Sequence, residues 1–211
     1  MKIFSLIFSL LLITTPMVSQ AEIVAPDELI KSTVHDVLEV INQDKNASEA
    51  KHKKLLDFVD AKVLPHFNFE HMTKLAVGRA WRTATPEQKS ALIVEFRTML
   101  VRTYSKAFTL YKDVSVDVKP FAMQANADEV TVKTVILRQS APAVPVDYEM
   151  EKTPGGWKVF DVTVEGISLV ATHRGSFAEK VQQSGVDGLI KSLTDLNKSA
   201  DSAPVNKADA K

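Results

Sequence analysis

The hydrophobic period of this 211-residue chain changes at about Asp113 and changes back after the strands. Before that point apolar residues recur three or four apart, as one face of a helix requires. After it they alternate with polar residues, as a half-buried strand requires. A chain with helices and strands in separate blocks folds as α+β, with helices packed on a sheet. The strand block is Val114–Val118, Glu129–Gln139, Val144–Lys152 and Trp157–Glu165, with a tight turn at Pro154-Gly155-Gly156. Every connection is too short for a parallel crossover, so the four strands form an antiparallel meander.

The helical block carries its own punctuation. A first helix is expected over Pro26–Ile41, with Ile30, Val34, Val37, Leu38 and Ile41 on one face. Pro at its start suits the first turn. A second runs over Ser48–Leu64, with Leu55, Leu56, Val59 and Val63 as its stripe, and Pro65 ends it. A short helix then passes through Met72, Leu75 and Ala76 to a C-cap at Gly78. Thr85-Pro86-Glu87-Gln88 combines an N-cap Thr, Pro at the first helical position and a capping-box Gln. It opens a long helix to about Tyr111, striped by Ile93, Phe96, Leu100, Tyr104, Ala107 and Tyr111. After the strands, two short helices are expected at Gly175–Gln183 and Gly188–Asn197, with Gly185 between them. The Ala-, Lys-, Asp- and Ser-rich tail 199–211 reads as disordered.

The first residues decide the compartment. Met1-Lys2 is followed by an apolar run from Ile3 to Ile13, a breaker at Pro16, and small residues at Ser19 and Ala21. This is the pattern of a secretory signal peptide over 1–21, cleaved after Ala21. The run falls short of the about 20 apolar residues that span a bilayer. The mature chain, 22–198 plus the tail, is read as one exported, soluble domain. It has no cysteine, so its core alone must stabilise it. Loss of Lys2 turns 26 basic residues into 25, against 26 acidic ones. That balance gives no electrostatic case for nucleic acid.

Motifs for catalysis are nearly absent: no GxSxG, no HExxH, no glycine-rich phosphate loop. His66 and His71 are five apart, where a helical metal pair needs three or four. Asp161 and Glu165 sit four apart on one strand and so share a face with Val159 and Thr163, opposite Phe160, Val162 and Val164. Two readings stay open for them. Either they form an acid/base pair or a head-group contact, or Asp161 bonds to backbone or a helix end and Glu165 is exposed at the strand's end. Lys51-His52-Lys53-Lys54 is either a solvated helix face or a docking patch for an acidic partner or anionic membrane. The aromatic stripe of the long helix is either filled core or the wall of a cavity.

Three segments carry a family resemblance. The first is Phe69-Glu70-His71-Met72 with Leu75, Gly78, Trp81 and Ala84-Thr85-Pro86-Glu87-Gln88. The second is Phe96-Arg97 leading to Leu100-Val101-Arg102-Thr103-Tyr104. The third is Gly156-Trp157-Lys158-Val159-Phe160-Asp161-Val162 followed by Glu165-Gly166-Ile167-Ser168-Leu169. In order and spacing the chain resembles the MlaC, or toluene-tolerance, family of periplasmic auxiliary transport proteins, from about Asp27 to Leu196.

The resemblance implies a curved antiparallel sheet backed by helices, related to the NTF2-like cone, with an apolar cavity for phospholipid acyl chains. It implies a monomeric carrier, not an enzyme, needing no cofactor or metal. It further implies shuttling between an outer-membrane lipoprotein–porin complex and an inner-membrane ABC transporter complex, which preserves outer-membrane lipid asymmetry. On this layout the expected lining is Leu75, Phe96, Leu100 and Tyr104 from the helices. The strands and the segment after them supply Val135, Tyr148, Val162, Val164, Ile167 and Leu169. The alternatives are an NTF2-like enzyme with Asp161 as general base, and a carrier of another apolar ligand such as a hopanoid.

Overall fold

Local capping signals set where the elements begin. The computed structural model describes residues 23–42, 49–110, 114–124, 126–139 and 141–202; for 49–52, 105–110 and 200–202 it describes the backbone alone. The expected signal peptide therefore lies outside the described residues. Helix α1 spans Pro26–Asn42 and α2 spans Glu49–Phe58. The expected continuation of α2 to Leu64 is instead a π turn, Val59–Val63, and a 3-10 turn, Leu64–His66. Pro65 has no N–H to give, so the chain leaves regular α geometry before it.

Helix α3, Phe69–Val77, is capped by the Asn68 side chain, which accepts the His71 N–H at 3.0 Å. It stops at Gly78, whose φ of 63° suits a residue without Cβ. A 3-10 turn, Gly78–Arg82, leads to α4, Pro86–Leu110. The capping box forms as read: Gln88 N–H donates to Thr85 Oγ1 at 3.2 Å, and Thr85 N–H donates to Gln88 Oε1 at 3.0 Å.

The sheet follows in the simple order β1 to β5: Val114–Val118, Glu129–Arg138, Ala141–Thr153, Gly156–Val164 and Ile167–Ser168. All four pairings are antiparallel. Four strands match expectation, and the two-residue β5 is an addition. It forms because Glu165 and Gly166, at φ 51° and 83°, turn the chain back on β4.

Strict alternation fails within β4. The pairing of β3 with β4 shifts between Glu149–Asp161 and Met150–Val159, which leaves Phe160 as an extra residue. A bulge of this kind changes the side on which later residues lie. Val159 therefore packs with Val162 and Val164 in the sheet cluster, while Phe160 packs with the helices. The expected grouping of Phe160 with Val162 and Val164, and of Val159 with Asp161, is corrected by this one inserted residue.

Helix α5 runs Leu169–Ser202, with Gly185 non-helical at φ 70° and ψ −177°. The two expected short helices are thus two arms joined at Gly185. The first starts earlier than expected, and the second continues past Ser199 through Ser202. The rest of the expected disordered tail lies outside the described residues.

The buried side chains form separate clusters. One is helical: Met72, Ala76 and Val77 of α3, Trp81 of the 3-10 turn, Leu92, Phe96, Met99 and Leu100 of α4, and Val170, Phe177, Leu189 and Leu193 of α5. Another joins Ile30 of α1 to the sheet residues Val132, Val144, Val146, Met150, Trp157, Val159 and Val162. A small third ties Val37 and Ile41 of α1 to Leu55 and Val59. Phe67 packs against both large clusters.

Candidate functional site

Alternation places Val130, Val132, Thr134 and Ile136 of β2 on one face with Val144, Val146, Tyr148 and Met150 of β3. This face is largely apolar, with Thr134 and Tyr148 as its polar side chains. Charged and polar groups sit on the other side, where Lys133 Nζ lies 3.4 Å from Asp147 Oδ2 and Thr131 donates to Glu149 at 2.9 Å. The apolar face is covered unevenly. Its centre is closed by Ile30, but Leu29, Val34, Phe67, Val118, Phe121, Val130, Ile136, Tyr148, Val164 and Leu169 around it are only half-buried.

Of the two polar side chains of β2 and β3 on this face, Thr134 and Tyr148, Tyr148 packs against the sheet cluster. It keeps partial solvent access, yet burial pushes its phenol up to about 12, with a hydrogen bond to Thr134 acting in the opposite direction. The Thr134 hydroxyl is buried and donates to the Val146 carbonyl at 2.9 Å. Beside this face a cleft of about 660 Å³ runs between α1 and β1. Its apolar walls are Val34 and Leu38 of α1 and Val114, Val116 and Val118 of β1. Its volume falls in the range of small-molecule sites. Val34 and Val118 belong both to the cleft and to the border of the sheet cluster, so the two are continuous.

A second cleft, of about 740 Å³, lies between the arms of α5 over Met99. His173 on its wall stacks with Phe177 at 5.4 Å and meets Phe96 edge-on at 5.5 Å. Burial lowers its pKa, and its Nε2 has no hydrogen-bond partner.

The expected lining divides between the two large clusters. Phe96 and Leu100 are buried in the helical cluster, with Leu75 and Tyr104 half-buried against it. Tyr148, Val162, Val164 and Leu169 belong to the sheet cluster. The structure does not bring these sets into one wall; they meet at Phe67. Ile167 is 63% exposed at the start of β5. Val135 lies on the charged face, between Lys133 and Leu137 and opposite Pro145. The signal that places it was in the sequence: Lys133 two residues earlier marks that side as polar. Ile30, Val132, Met150, Trp157 and Val159 were missed: the last four sit on the buried side of their strands, and Ile30 covers them from α1.

The candidate carboxylates and histidines hold structure together. Asp161 Oδ1 accepts the N–H groups of Val162 at 2.8 Å and Val170 at 3.2 Å, and Oδ2 accepts the Ser168 hydroxyl. Ser168 Oγ in turn accepts the Ala171 N–H at 2.9 Å, so Asp161 and Ser168 together cap α5. With three donors on it, Asp161 is placed as a cap rather than as a base facing a pocket. Glu165 is exposed in the turn. His71 Nδ1 lies 3.0 Å from Glu151 Oε1 and its ring stacks on Phe160 at 4.5 Å, which ties α3 to the sheet. His66 is half-buried, and its pKa is lowered by desolvation and by the nearby charge of Lys158.

A profile of the family described as "MlaC protein" matches residues 31–195. The chain belongs to the MlaC family. The MlaC match runs from within α1 into the second arm of α5, so it takes in the whole helical cluster and all of the sheet cluster but Leu29 and Ile30. Among known members, the Toluene tolerance protein ttg2D of Pseudomonas putida is 24% identical over 186 residues, covering 85% of this chain and 86% of that one. The Intermembrane phospholipid transport system binding protein MlaC of Haemophilus influenzae is 20% identical over 157 residues, covering 71% and 73%. Among solved structures, a phospholipid-binding protein from Ralstonia solanacearum, in complex with a phospholipid, superposes with a TM-score of 0.77 at 32% identity. That likeness covers 84% of this chain and 99% of the Ralstonia chain. The α+β architecture expected for an MlaC protein is therefore the one observed.

Proposed function

We propose that this protein is a periplasmic phospholipid carrier that holds acyl chains against the apolar face of its sheet, under α1. The observation that carries this reading is the likeness, over 84% of the chain, to a protein solved with a phospholipid bound. The physical chemistry supports it. Each methylene taken from water contributes about 0.8 kcal/mol, so two acyl chains represent on the order of 20 kcal/mol. A carrier must replace nearly all of that burial, and it needs few polar groups to do so. The sheet face suits this task because it is largely apolar and a single helix, α1, lies over it.

Helix α1 is the movable wall in this scheme. It is anchored at one end by Ile30 on the sheet and at the other by Val37 and Ile41 on α2, and its middle overhangs the cleft. Acyl chains entering there extend the cleft along the sheet toward Tyr148. The carrier takes lipid between an outer-membrane lipoprotein–porin complex and an inner-membrane ABC transporter complex, and so helps keep the outer membrane asymmetric. Export by the 1–21 leader places it in the periplasm as a monomer.

The test is mass spectrometry of organic extracts from protein purified out of the periplasm without detergent. Stoichiometric phospholipid, absent from a control periplasmic protein, is the expected result. A clean extract from folded protein overturns the reading, and a hopanoid in its place redirects it. The intact mass of the same sample checks cleavage after Ala21.

A further inference from the structure

The MlaC reading leaves one charged surface unused. Lys74, Arg79, Arg82 and Arg174 are exposed, and none of them is in an ion pair among the described residues. The fold gathers them at one turn. Gly78 ends α3, and its N–H closes on the Lys74 carbonyl. Residues three apart eclipse in a 3-10 helix, so Arg79 and Arg82 stand above one another on the turn Gly78–Arg82. Buried Trp81 pins that turn to the helical cluster. Arg174 reaches it from α5: its Nε would stand 3.6 Å from a carbon placed on Gly78.

The chain as a whole has 26 basic and 26 acidic residues, so this is a local excess rather than a share of a net charge. Guanidinium groups favour phosphate and carboxylate partners, which they meet with paired N–H donors. A protein partner ordinarily buries an apolar centre inside such a rim. None of the exposed large apolar residues lies on α3 or on the turn Gly78–Arg82. The cations border neither of the two clefts described above.

We propose that this patch docks the carrier on an anionic phospholipid surface, whose phosphates form a planar array. The proposal does not rest on the lipid cavity, because docking can be read whether or not acyl chains are carried. The Lys53–Lys54 run on α2 offers an internal control. It is exposed too, but Lys53 is already paired with Asp57 at 2.7 Å.

The experiment is co-flotation with vesicles of phosphatidylcholine alone and with vesicles of equal parts phosphatidylcholine and phosphatidylglycerol. The protein should partition onto the mixed vesicles only, and added salt should weaken that partition. The pair Arg79→Gln/Arg82→Gln should lower it by about fivefold per cation removed, and Arg174→Gln should act alike. Arg79→Lys/Arg82→Lys should keep it, and Lys53→Gln/Lys54→Gln should leave it unchanged. Melting curves by circular dichroism confirm that each variant is folded, and Arg174→Gln carries the test if the turn variants are not. Equal partition onto both vesicle types overturns the proposal and points the cations at an acidic protein instead. Undiminished partition of folded Gln variants, or an equal loss in the lysine control, overturns it as well.

Discussion

The helical cluster and the sheet face are built from the same residue types but packed differently. In the helices, Phe96, Leu92, Ala76 and Met72 are sealed, at 2% exposure or less, between three helices. On the sheet, Val132, Met150 and Val159 are as well buried, but they lie under a single helix, α1; half-buried residues border both clusters. A domain core needs its border closed on every side. A surface that must take up and release an apolar cargo needs a border that can open. On the proposed function the helices supply stability and the sheet face holds the lipid, and substitutions in each region test that division.

The largest effects should come from a buried carboxylate. Leu100→Asp places an unpaired charge in the helical cluster, at a cost of about 4–5 kcal/mol or more, and little folded protein should remain. Val164→Asp on the half-covered border should cost about 1–2 kcal/mol and leave a folded protein that extracts with little lipid. Circular dichroism with lipid extraction separates the two outcomes; equal loss of fold in both would erase the distinction. Next is Phe96→Ala, which should cost about 3–5 kcal/mol in urea unfolding while the folded fraction keeps its lipid. Asp161→Ala removes the cap of α5 and should cost about 1 kcal/mol, with lipid extraction unchanged. Loss of lipid from that folded variant would revive a functional role for the carboxylate.

The smallest effects at neutral pH are two titrations, one in each region. His173 has a folded pKa lowered by burial. Its contribution is therefore present above the ordinary histidine range and lost as pH falls through the folded value, so acid should loosen the helices first. Tyr148 has a folded pKa raised by burial to about 12. Its contribution is intact below the ordinary phenol value and lost as pH rises toward about 12, so alkali should loosen the sheet face. His173→Phe and Tyr148→Phe should flatten the acid and alkaline limbs of the melting profile separately. An alkaline limb unchanged in Tyr148→Phe would take Tyr148 off that face.

Much of the fold was legible because it is written locally. The Thr85–Gln88 capping box, the turn at Gly155-Gly156, the stop at Gly78 and the break at Gly185 each act within a few residues of the chain. The lining was legible only in part. Helical periodicity marked Phe96 and Leu100 as inward-facing, but inward for a helix can mean sealed core, and here it does. Alternation fixes which residues of a strand share a face. The misplacement of Val135 came from reading an apolar residue apart from its neighbour Lys133.

By itself, then, the sequence determined the order of helices before strands, the caps, the antiparallel meander and the family's motifs. Those follow from backbone geometry and from contacts a few residues long. Only the tertiary structure decided that one extra residue at Phe160 turns that ring toward the helices and Val159 toward the sheet. It also decided that α1 covers the sheet face incompletely and that Asp161 is spent on α5. Those outcomes depend on which distant surfaces compete for the same burial, and no local pattern records that competition.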